Sequence, residues 1–487
     1  MGLEKNFSYV LFPFRFDREL LKGEGFNSPL TKQNGKQAPM WRPVSPRQYH
    51  LKENLAAMLG TEGDQGSAGR LYSLDDSLRR ELALPELRDR LLFHRRGGDR
   101  PYSLCLEQVE LCLFFTGLGF LNMRFSAETE SAEELLDINY YLCEVKSGEN
   151  RLSFEKRLGR DERQTIDFRL LDAVRRLCAG FAGAEDLDCR PGLNYIDNKP
   201  LIFSYLLFED FPAELGRLLF NLRTNFKASY KVSEEQYELG RAQGLLHPFE
   251  NLYWGASLNG AVCCASLTGD RQTDEFFRNT FPSNLRDTYY ILFLLRQHQR
   301  FAVQDFQRLF VQADRAVSLS GEDIGDAYRA VMELRRRVAS FKLRCLYRDP
   351  SSVEHINQWD AFIQGTGNIR ENIQALEESV AQLDAVAQAM REEIQARNSR
   401  RERRAGLRRE RALYIVTALW SSIVFLESAW QISEHLRGGA ISIPSLWTLL
   451  PLGLTVLPIM TLAAELKQKR RELDELQKQE EEKEKDR

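Results

Sequence analysis

Hydrophobic and polar residues follow three different patterns along the chain. Up to about residue 310, short apolar runs rich in β-branched and aromatic residues alternate with segments of helical periodicity. A narrow apolar stripe with a three-four spacing then recurs from residue 327 to residue 394, and two long apolar runs follow residue 411. Because a period of two marks strands and a period near 3.6 marks helices, this order predicts a mixed domain, a helical stalk and a membrane-embedded end.

The first region carries clear strand signals. The runs FSYVLFPF (7–14) and PLIFSYLLF (200–208) predict strands, and VELCLFF and FLNMRFSA on either side of TGLG predict a hairpin. LYWGASL and AVCCASL flank Asn259 and Gly260, the pair that best fits a type I′ turn. Ser131 and Glu134 form a capping-box pattern ahead of a short helix. Strands mixed with helices predict an α/β (α+β) layered domain over residues 1–317, which we expect to be cytosolic.

A helical coiled-coil stalk is predicted over residues 318–411. Its apolar seam is Val331, Leu334, Val338, Phe341 and Cys345, then Ile369, Ile373, Leu376, Val380, Leu383, Ala387, Met390 and Ile394. Asp349 and Pro350 interrupt or kink the helix between the two parts. A seam this narrow requires a partner helix, from the same chain or from identical subunits. A stalk that leads into membrane spans favours identical subunits in a closed ring.

Two apolar runs predict a transmembrane hairpin over residues 412–464, with spans at 412–430 and 440–464. The first is close to the ~20 helical residues that cross a bilayer, and the second is long enough to cross with some tilt, although a buried globular hairpin is the alternative. The flanks RRERRAGLRRER and KQKRR are basic, so both termini are expected in the cytoplasm, with 431–439 outside. We therefore expect a multi-pass protein of the inner (cytoplasmic) membrane, with residues 465–487 as a charged cytosolic tail.

The first span carries the candidate pore residues. Thr417, Ser421 and Ser428, with Val424 between them, lie on one helical face, which in an oligomer would line a mildly polar channel. The alternative is that small hydroxyl residues only let helices pack closely.

A second face near the outer end of this span carries Glu427, Gln431 and Glu434, which in a ring of copies would concentrate cations at the pore mouth. Glu427 could instead extend to the membrane interface. The arginine-rich residues 397–411 would anchor the helices on anionic lipid headgroups or form a positive collar at the inner mouth.

Composition narrows the function classes. The formal net charge is -3, which gives no reason to expect direct nucleic-acid binding. The eight cysteines lack CxxC pairs, so reduced and mostly buried thiols are expected. The histidines show no metal-ligand spacing, and the chain contains no phosphate-binding loop, GxSxG or HExxH. An enzyme and a catalytic site are therefore not expected, and no metal-binding residues are identified. No cofactor is certain, although magnesium is possible.

This layout of α/β domain, long stalk, terminal hairpin and basic residues after the second span resembles the CorA-like superfamily of two-span membrane proteins. The resemblance implies a homopentamer. The Gly-Met-Asn signature of magnesium-transporting members is absent, and the chain reads FLESAWQIS where it is expected. This departure puts magnesium transport in doubt, although a divalent cation transporter remains an alternative function.

A narrower resemblance is to the CorA-like effectors of type III CRISPR systems, which also have an enlarged N-terminal domain and lack the transporter signature. YWGASLNG (253–260) and DTYYILFLLRQHQRFAV (287–303) are similar to that group. The resemblance implies a homo-oligomeric channel that is gated by S-adenosylmethionine-AMP and permeabilises the membrane in antiviral defence. A membrane-anchored coiled-coil scaffold is the third hypothesis.

Candidate residues for a nucleotide follow from what its parts require. Trp254 and Tyr253 could stack on a base, and Ser257 and Asn259 could supply polar contacts. Arg223, Lys227 and Lys231 are spaced by four and would form a basic stripe for a phosphate if they are helical. Each residue type also has a plain structural interpretation, as a core tryptophan, a turn asparagine or a solvated helix face.

Overall fold

A large and almost entirely antiparallel β-sheet organises the N-terminal part of the chain. Its strands are β1 (Leu3–Arg15), β2 (Trp41–Val44), β3 (Gly69–Leu74), β4 (Arg90–His94), β5 (Tyr102–Phe114), β6 (Leu118–Ala127), β7 (Arg151–Arg157), β8 (Arg163–Phe168), β9 (Leu201–Phe208), β10 (Leu245–Phe249), β11 (Leu252–Ala256) and β12 (Gly260–Ser266). They pair in the order β10-β11-β12-β9-β1-β6-β5-β4-β7-β8, with β3 also on β5 and β2 on β3. Among the described pairs of strands, only β12 and β9 are parallel.

The computed structural model describes residues 2–16, 41–44, 50–56, 58–60, 67–76, 79, 84–86, 89–145, 147–157, 163–178, 200–227, 231–319, 324–437 and 467–468. Its helices are α1 (Glu53–Ala56), α2 (Ala132–Cys143), α3 (Leu170–Cys178), α4 (Leu215–Thr224), α5 (Arg271–Glu275), α6 (Phe281–Asn284), α7 (Ile291–Leu319), α8 (Ile324–Cys345), α9 (Glu354–Thr366) and α10 (Ile369–Arg437). A 3-10 turn covers Glu234–Gln236, and π-helical turns cover Phe276–Thr280 and Leu285–Tyr290.

Helices cover both faces of the sheet, which explains why its central strands contain long runs of buried residues. On β1, Tyr9 and Leu11 face a core that contains α7 and α9, whereas Val10 and Phe12 face a second core that contains α2 and α3. Every residue of β9 is buried. Such a strand shows no polar alternation because neither side meets water.

Most predicted elements of this region are confirmed. β1, β9, the β5–β6 hairpin and the β11–β12 hairpin form where the apolar runs indicated. Ser131 caps α2 by accepting from the Glu134 amide, as the capping-box pattern predicted. The Glu134 carboxylate, however, accepts from the Thr129 hydroxyl at 2.5 Å.

The predicted type I′ turn at Asn259 and Gly260 is wrong. Such a turn requires positive φ at both positions, and neither residue has it. Ala256 pairs with Ala261, so three loop residues and Gly260 lie between them. Gly260 is required for another reason: a Cβ there would lie 2.0 Å from the Ile202 carbonyl oxygen of the parallel strand β9.

The first part of the predicted stalk packs its apolar stripe against other elements of the same chain. The α8 seam residues Val331, Val338 and Phe341 are buried in the core that also contains α7 and α9. Leu376 and Ala387 of α10 belong to the same core. The interruption predicted near Pro350 is confirmed, because α8 ends at Cys345 and Asp349 has a φ of 45°. This part of the stripe therefore has its partner without an identical subunit.

Two compact units divide the chain, Met1–Ala387 and Gln388–Arg487. The predicted domain boundary at residues 317 and 318 lies inside α7. The predicted first span at 412–430 lies within α10, a single helix of 69 residues. The predicted second span at 440–464 lies outside the described residues.

Candidate functional site

The C-terminal end of α4 and the loop between β11 and β12 hold each other through side chain to backbone hydrogen bonds. The Arg223 guanidinium donates to the Ala256 carbonyl at 2.9 Å. In return, the Ser257 hydroxyl donates to the Arg223 carbonyl at 2.5 Å, and the Asn259 amide donates to the Thr224 carbonyl at 2.8 Å. These bonds satisfy carbonyls that a helix end leaves without partners. We call this set of residues the α4 clasp.

Two glycines make room for Arg223. A Cβ at Gly244 would lie 1.4 Å from its Nη1 atom, and one at Gly255 would lie 3.2 Å from its Cδ atom. The side chain is buried, and Nη2 donates to the Gln236 carbonyl at 3.1 Å. Its Nε is buried without a hydrogen-bond partner. Burial lowers the pKa of Arg223 because it disfavours the charged form. In the described part of the chain, no carboxylate forms an ion pair with this side chain.

A cavity of about 870 Å³ opens against the α4 clasp. Its walls come from α4, the segment 235–244, the β11–β12 loop and the end of α9; the lining residues are Arg223, Glu235, Gln236, Glu238, Arg241, Gln243, Gly244, Ala256, Ser257, Leu258, Ala361, Phe362, Gly365, Thr366 and Asn368. The volume is in the range of small-molecule sites. We call it the clasp cavity.

A second buried arginine stands behind the same loop. Arg300 of α7 is 4% exposed, and its Nη1 donates to the Leu258 carbonyl at 2.8 Å. Its Nε has no hydrogen-bond partner. Burial lowers the pKa of Arg300 to about 10, and no described carboxylate lies near enough to oppose this effect.

The predicted nucleotide residues are only partly brought together. Arg223 and Ser257 both line the clasp cavity. Asn259 belongs to the α4 clasp but is not among the lining residues.

Trp254 and Tyr253 point to opposite faces of β11 and cannot stack on one base. Trp254 is 1% exposed, and its ring centroid lies 4.4 Å from that of Trp359 and 4.8 Å from that of Tyr289. Tyr253 packs against a different core and stacks on His247 at 3.8 Å. The plain interpretation of Trp254 as a core residue is therefore the correct one for this structure.

The predicted helical basic stripe does not form. α4 ends at Thr224, and Asn225 has the left-handed φ of 49° that stops the helix. Lys227 and Lys231 follow this end and line a separate cavity of about 570 Å³. Lys227 forms an ion pair with Asp137. Arg223 is thus separated from both lysines by the helix terminus.

The candidate pore residues lie on α10. Thr417 and Ser428 donate their hydroxyl hydrogens to the carbonyls of Leu413 and Val424, at 2.8 and 2.9 Å. Ser428 is buried, Ser421 and Val424 are intermediate, and Thr417, Glu427, Gln431 and Glu434 are exposed. Both hydroxyls are satisfied inside the helix, so they need no water or partner helix for hydrogen bonding.

One helix in the described part of the chain is long and apolar enough to cross a membrane, and it is the Ile369–Gln431 segment of α10. Its most apolar window is not buried. Eight large apolar side chains are between 58% and 70% exposed: Leu413, Ile415, Val416, Leu419, Trp420, Ile423, Leu426 and Trp430. The arginines that precede them, from Arg400 to Arg411, are exposed as well.

Sequence reasoning missed Arg300 and the α9 wall of the cavity, including Phe362 and Thr366. The available signal was RQHQR (296–300), a polar run between two apolar stretches in one helix.

Within the described residues, no group of three or more His, Cys, Asp or Glu side chains could hold a metal ion. No protein-family model matches the chain, and no curated protein matches it in sequence.

Proposed function

We propose that the chain is a ligand-controlled membrane effector. In this proposal the N-terminal unit binds a small nucleotide, and the apolar part of α10 lies in the bilayer, where identical subunits form a conducting path. The observation that carries the proposal is the exposed apolar surface of α10 between Leu413 and Trp430. A contiguous apolar surface of this length is unfavourable in water and is covered by lipid or by another protein.

The bilayer is the better cover because charges flank the apolar segment. The exposed arginines from Arg400 to Arg411 would lie at the level of anionic headgroups. Basic residues close to a span are kept on the cytoplasmic side of the membrane. These arginines and the basic KQKRR after the second apolar run therefore support an inner-membrane protein with two spans and both termini in the cytoplasm. The CorA-like layout supports a homopentamer.

The resemblance to the CorA-like effectors of type III CRISPR systems supplies the candidate ligand, S-adenosylmethionine-AMP, and the biological role, membrane permeabilisation during phage infection. The clasp cavity supplies a place of sufficient size in the N-terminal unit. The proposed pore lining is Thr417, Ser421, Val424 and Ser428, with Glu427, Gln431 and Glu434 toward the outer mouth.

The test is leakage of dye and ions from liposomes that contain the purified full chain, with and without S-adenosylmethionine-AMP. We expect leakage only with the ligand, and Glu427→Gln should reduce the cation preference of the current. Insertion is checked by flotation of the liposomes. The double variant Leu419→Arg/Ile423→Arg should fail to insert, because each charge at the centre of a span costs about 3 kcal/mol. Leu343→Arg, at a position 85% exposed in the N-terminal unit, is the matched control and should insert normally.

Two outcomes would contradict the proposal. Magnesium flux that is independent of the ligand would identify a divalent cation transporter with a replaced signature. No flux under any condition, from protein that floats with the liposomes, would identify a membrane-anchored scaffold.

A further inference from the structure

We propose that the clasp cavity binds the phosphoryl group of a nucleotide-sized ligand, with Arg223 as its direct anchor and Arg300 as a second positive charge behind the loop. The site itself does not depend on any membrane activity. That its occupancy controls α10 rests on the proposed function.

The first argument is the missing counter-ion. Arg223 and Arg300 are 6% and 4% exposed, and each has a buried Nε without a hydrogen-bond partner. Each donates to a carbonyl of the same loop, Ala256 or Leu258. Buried guanidinium groups are normally paired with an anion, because an unpaired buried charge is costly. Neither has such a partner in the described part of the chain.

The second argument is that open space adjoins one of these two arginines. Arg223 lines the clasp cavity, and Leu258, whose carbonyl receives Arg300, lines it too. Other charges on the wall are near the solvent: Glu238 lies 3.5 Å from Arg241, and Glu235 is exposed. The high dielectric constant of water weakens the interactions of exposed charges, whereas Arg223 is buried at the cavity wall.

The remaining walls suit the rest of a nucleotide. Phe362 of α9 offers an aromatic surface, and Gln236, Gln243 and Thr366 carry polar groups at the cavity wall. A phosphate alone would leave most of about 870 Å³ empty. Arginine presents several N–H donors in a planar fork, which matches phosphoryl oxygens.

One wall of the cavity is the turn that precedes α10, through Thr366 and Asn368. Thr366 ends α9, Asn368 has the left-handed φ of 47°, and α10 begins at Ile369. A ligand bound between the α4 clasp and this turn would therefore contact residues that set where α10 starts. This provides a direct route by which binding could act on the helix.

The experiment is calorimetric binding of AMP, adenosine and inorganic phosphate to the full chain in detergent. We expect AMP to bind at least about tenfold more tightly than adenosine, since charged hydrogen bonds contribute at that level. Arg223→Gln should abolish this preference. Arg336→Gln is the matched control: it removes an exposed arginine of α8 that does not line the cavity, and it should change AMP affinity less than about twofold.

A second pair of variants covers the case in which Arg223→Gln fails to fold. Leu258 is 49% exposed and lines the cavity, so Leu258→Glu and Leu258→Gln should both fold. The glutamate should block AMP by supplying a competing carboxylate, while the glutamine, of the same size but without the charge, should weaken AMP binding much less. Equal binding of AMP and adenosine to the unaltered chain, or equal effects of Glu and Gln at Leu258, would overturn the proposal.

If inorganic phosphate binds as tightly as AMP, the proposal of a nucleotide ligand is wrong and the cavity is a phosphate site. Leakage is measured separately. AMP binding that depends on Arg223, without leakage caused by any ligand, would count against the effector function and not against the site.

Discussion

Two buried arginines one turn apart on α7 have opposite surroundings. Arg296 donates to both carboxylate oxygens of Asp360, at 2.8 and 2.5 Å, and its guanidinium lies 4.1 Å from the Tyr347 ring centroid. Arg300 has one carbonyl acceptor and no described carboxylate. The pKa of Arg296 is raised by its neighbours in spite of burial, whereas burial lowers that of Arg300.

The difference distinguishes Arg296, whose charge is neutralised within the fold, from Arg300, whose charge has no such partner among the described residues. The Arg296–Asp360 pair joins α7 to α9 with its hydrogen bonds completed by Gln299 and Tyr347. Nothing further can bind there without breaking the pair. The charge of Arg300, together with that of Arg223, faces a loop that adjoins a cavity. One buried arginine therefore has a complete set of partners, whereas the other has no anion in the described part of the chain. This difference supports the ligand site proposed above.

The largest expected effect on stability comes from breaking the Arg296–Asp360 ion pair. Asp360→Asn would leave Arg296 buried without its anion, and we expect a loss of about 3–5 kcal/mol in the free energy of unfolding. Urea unfolding followed by tryptophan fluorescence measures it, since Trp254 and Trp359 pack against each other in the same core. The control is Asp326→Asn, which removes an exposed ion pair with Arg329 on α8 and should cost less than about 1 kcal/mol. Similar losses in the two variants would show that Arg296 is not held as described.

His298 lies between the two arginines in sequence and is also buried. Unlike an arginine, it can lose its charge, so its effect on stability can be measured by changing the pH. Its ring stacks on Phe114 at 3.7 Å, and Nε2 lies 2.9 Å from the Thr116 hydroxyl. Burial lowers the pKa of His298 from 6.5 to about 3. The unfolded chain therefore binds this proton below pH 6.5, while the folded chain does so only near pH 3. Its contribution to stability is present above pH 6.5 and is lost progressively as the pH falls toward 3.

Between pH 7 and pH 5 this linkage amounts to about 2 kcal/mol. The measurement compares urea unfolding of the unaltered chain and of His298→Gln at both pH values. Glutamine keeps a polar group near Thr116 but takes up no proton, so the variant should lose about 2 kcal/mol less on acidification. An equal loss in both proteins would place the acid sensitivity elsewhere.

Part of the fold was predictable from sequence because several central strands are apolar runs. β1, β9 and the two hairpins were found from pattern alone. Turn geometry was not, because Gly260 is selected by the approach of β9, a contact distant in sequence. The prediction of a helical basic stripe from Arg223 was wrong for a local reason: Asn225 adopts a left-handed conformation that ends α4.

The candidate site was predictable only in part. Arg223 and Ser257 were chosen for their chemistry, and both line the clasp cavity. Trp254 was chosen for its flat ring, but burial among other aromatic rings cannot be distinguished from ligand stacking by residue type. Arg300 was missed because a polar run such as RQHQR normally marks a solvated helix face. Here that face packs against the sheet and the β11–β12 loop.

The smallest expected effect on stability, and the one that most sharpens the comparison, comes from Arg300→Met. Methionine has a similar length and removes a charge that has no described anion, so the lost bond to the Leu258 carbonyl is offset by relief of the desolvation cost. We expect the free energy of unfolding to change by less than about 1 kcal/mol. The same urea titration as for Asp360→Asn measures it, and AMP affinity is measured alongside. A loss comparable to that of Asp360→Asn would mean that Arg300 is as structural as Arg296. Unchanged stability with weakened AMP binding is what an arginine kept for a ligand requires.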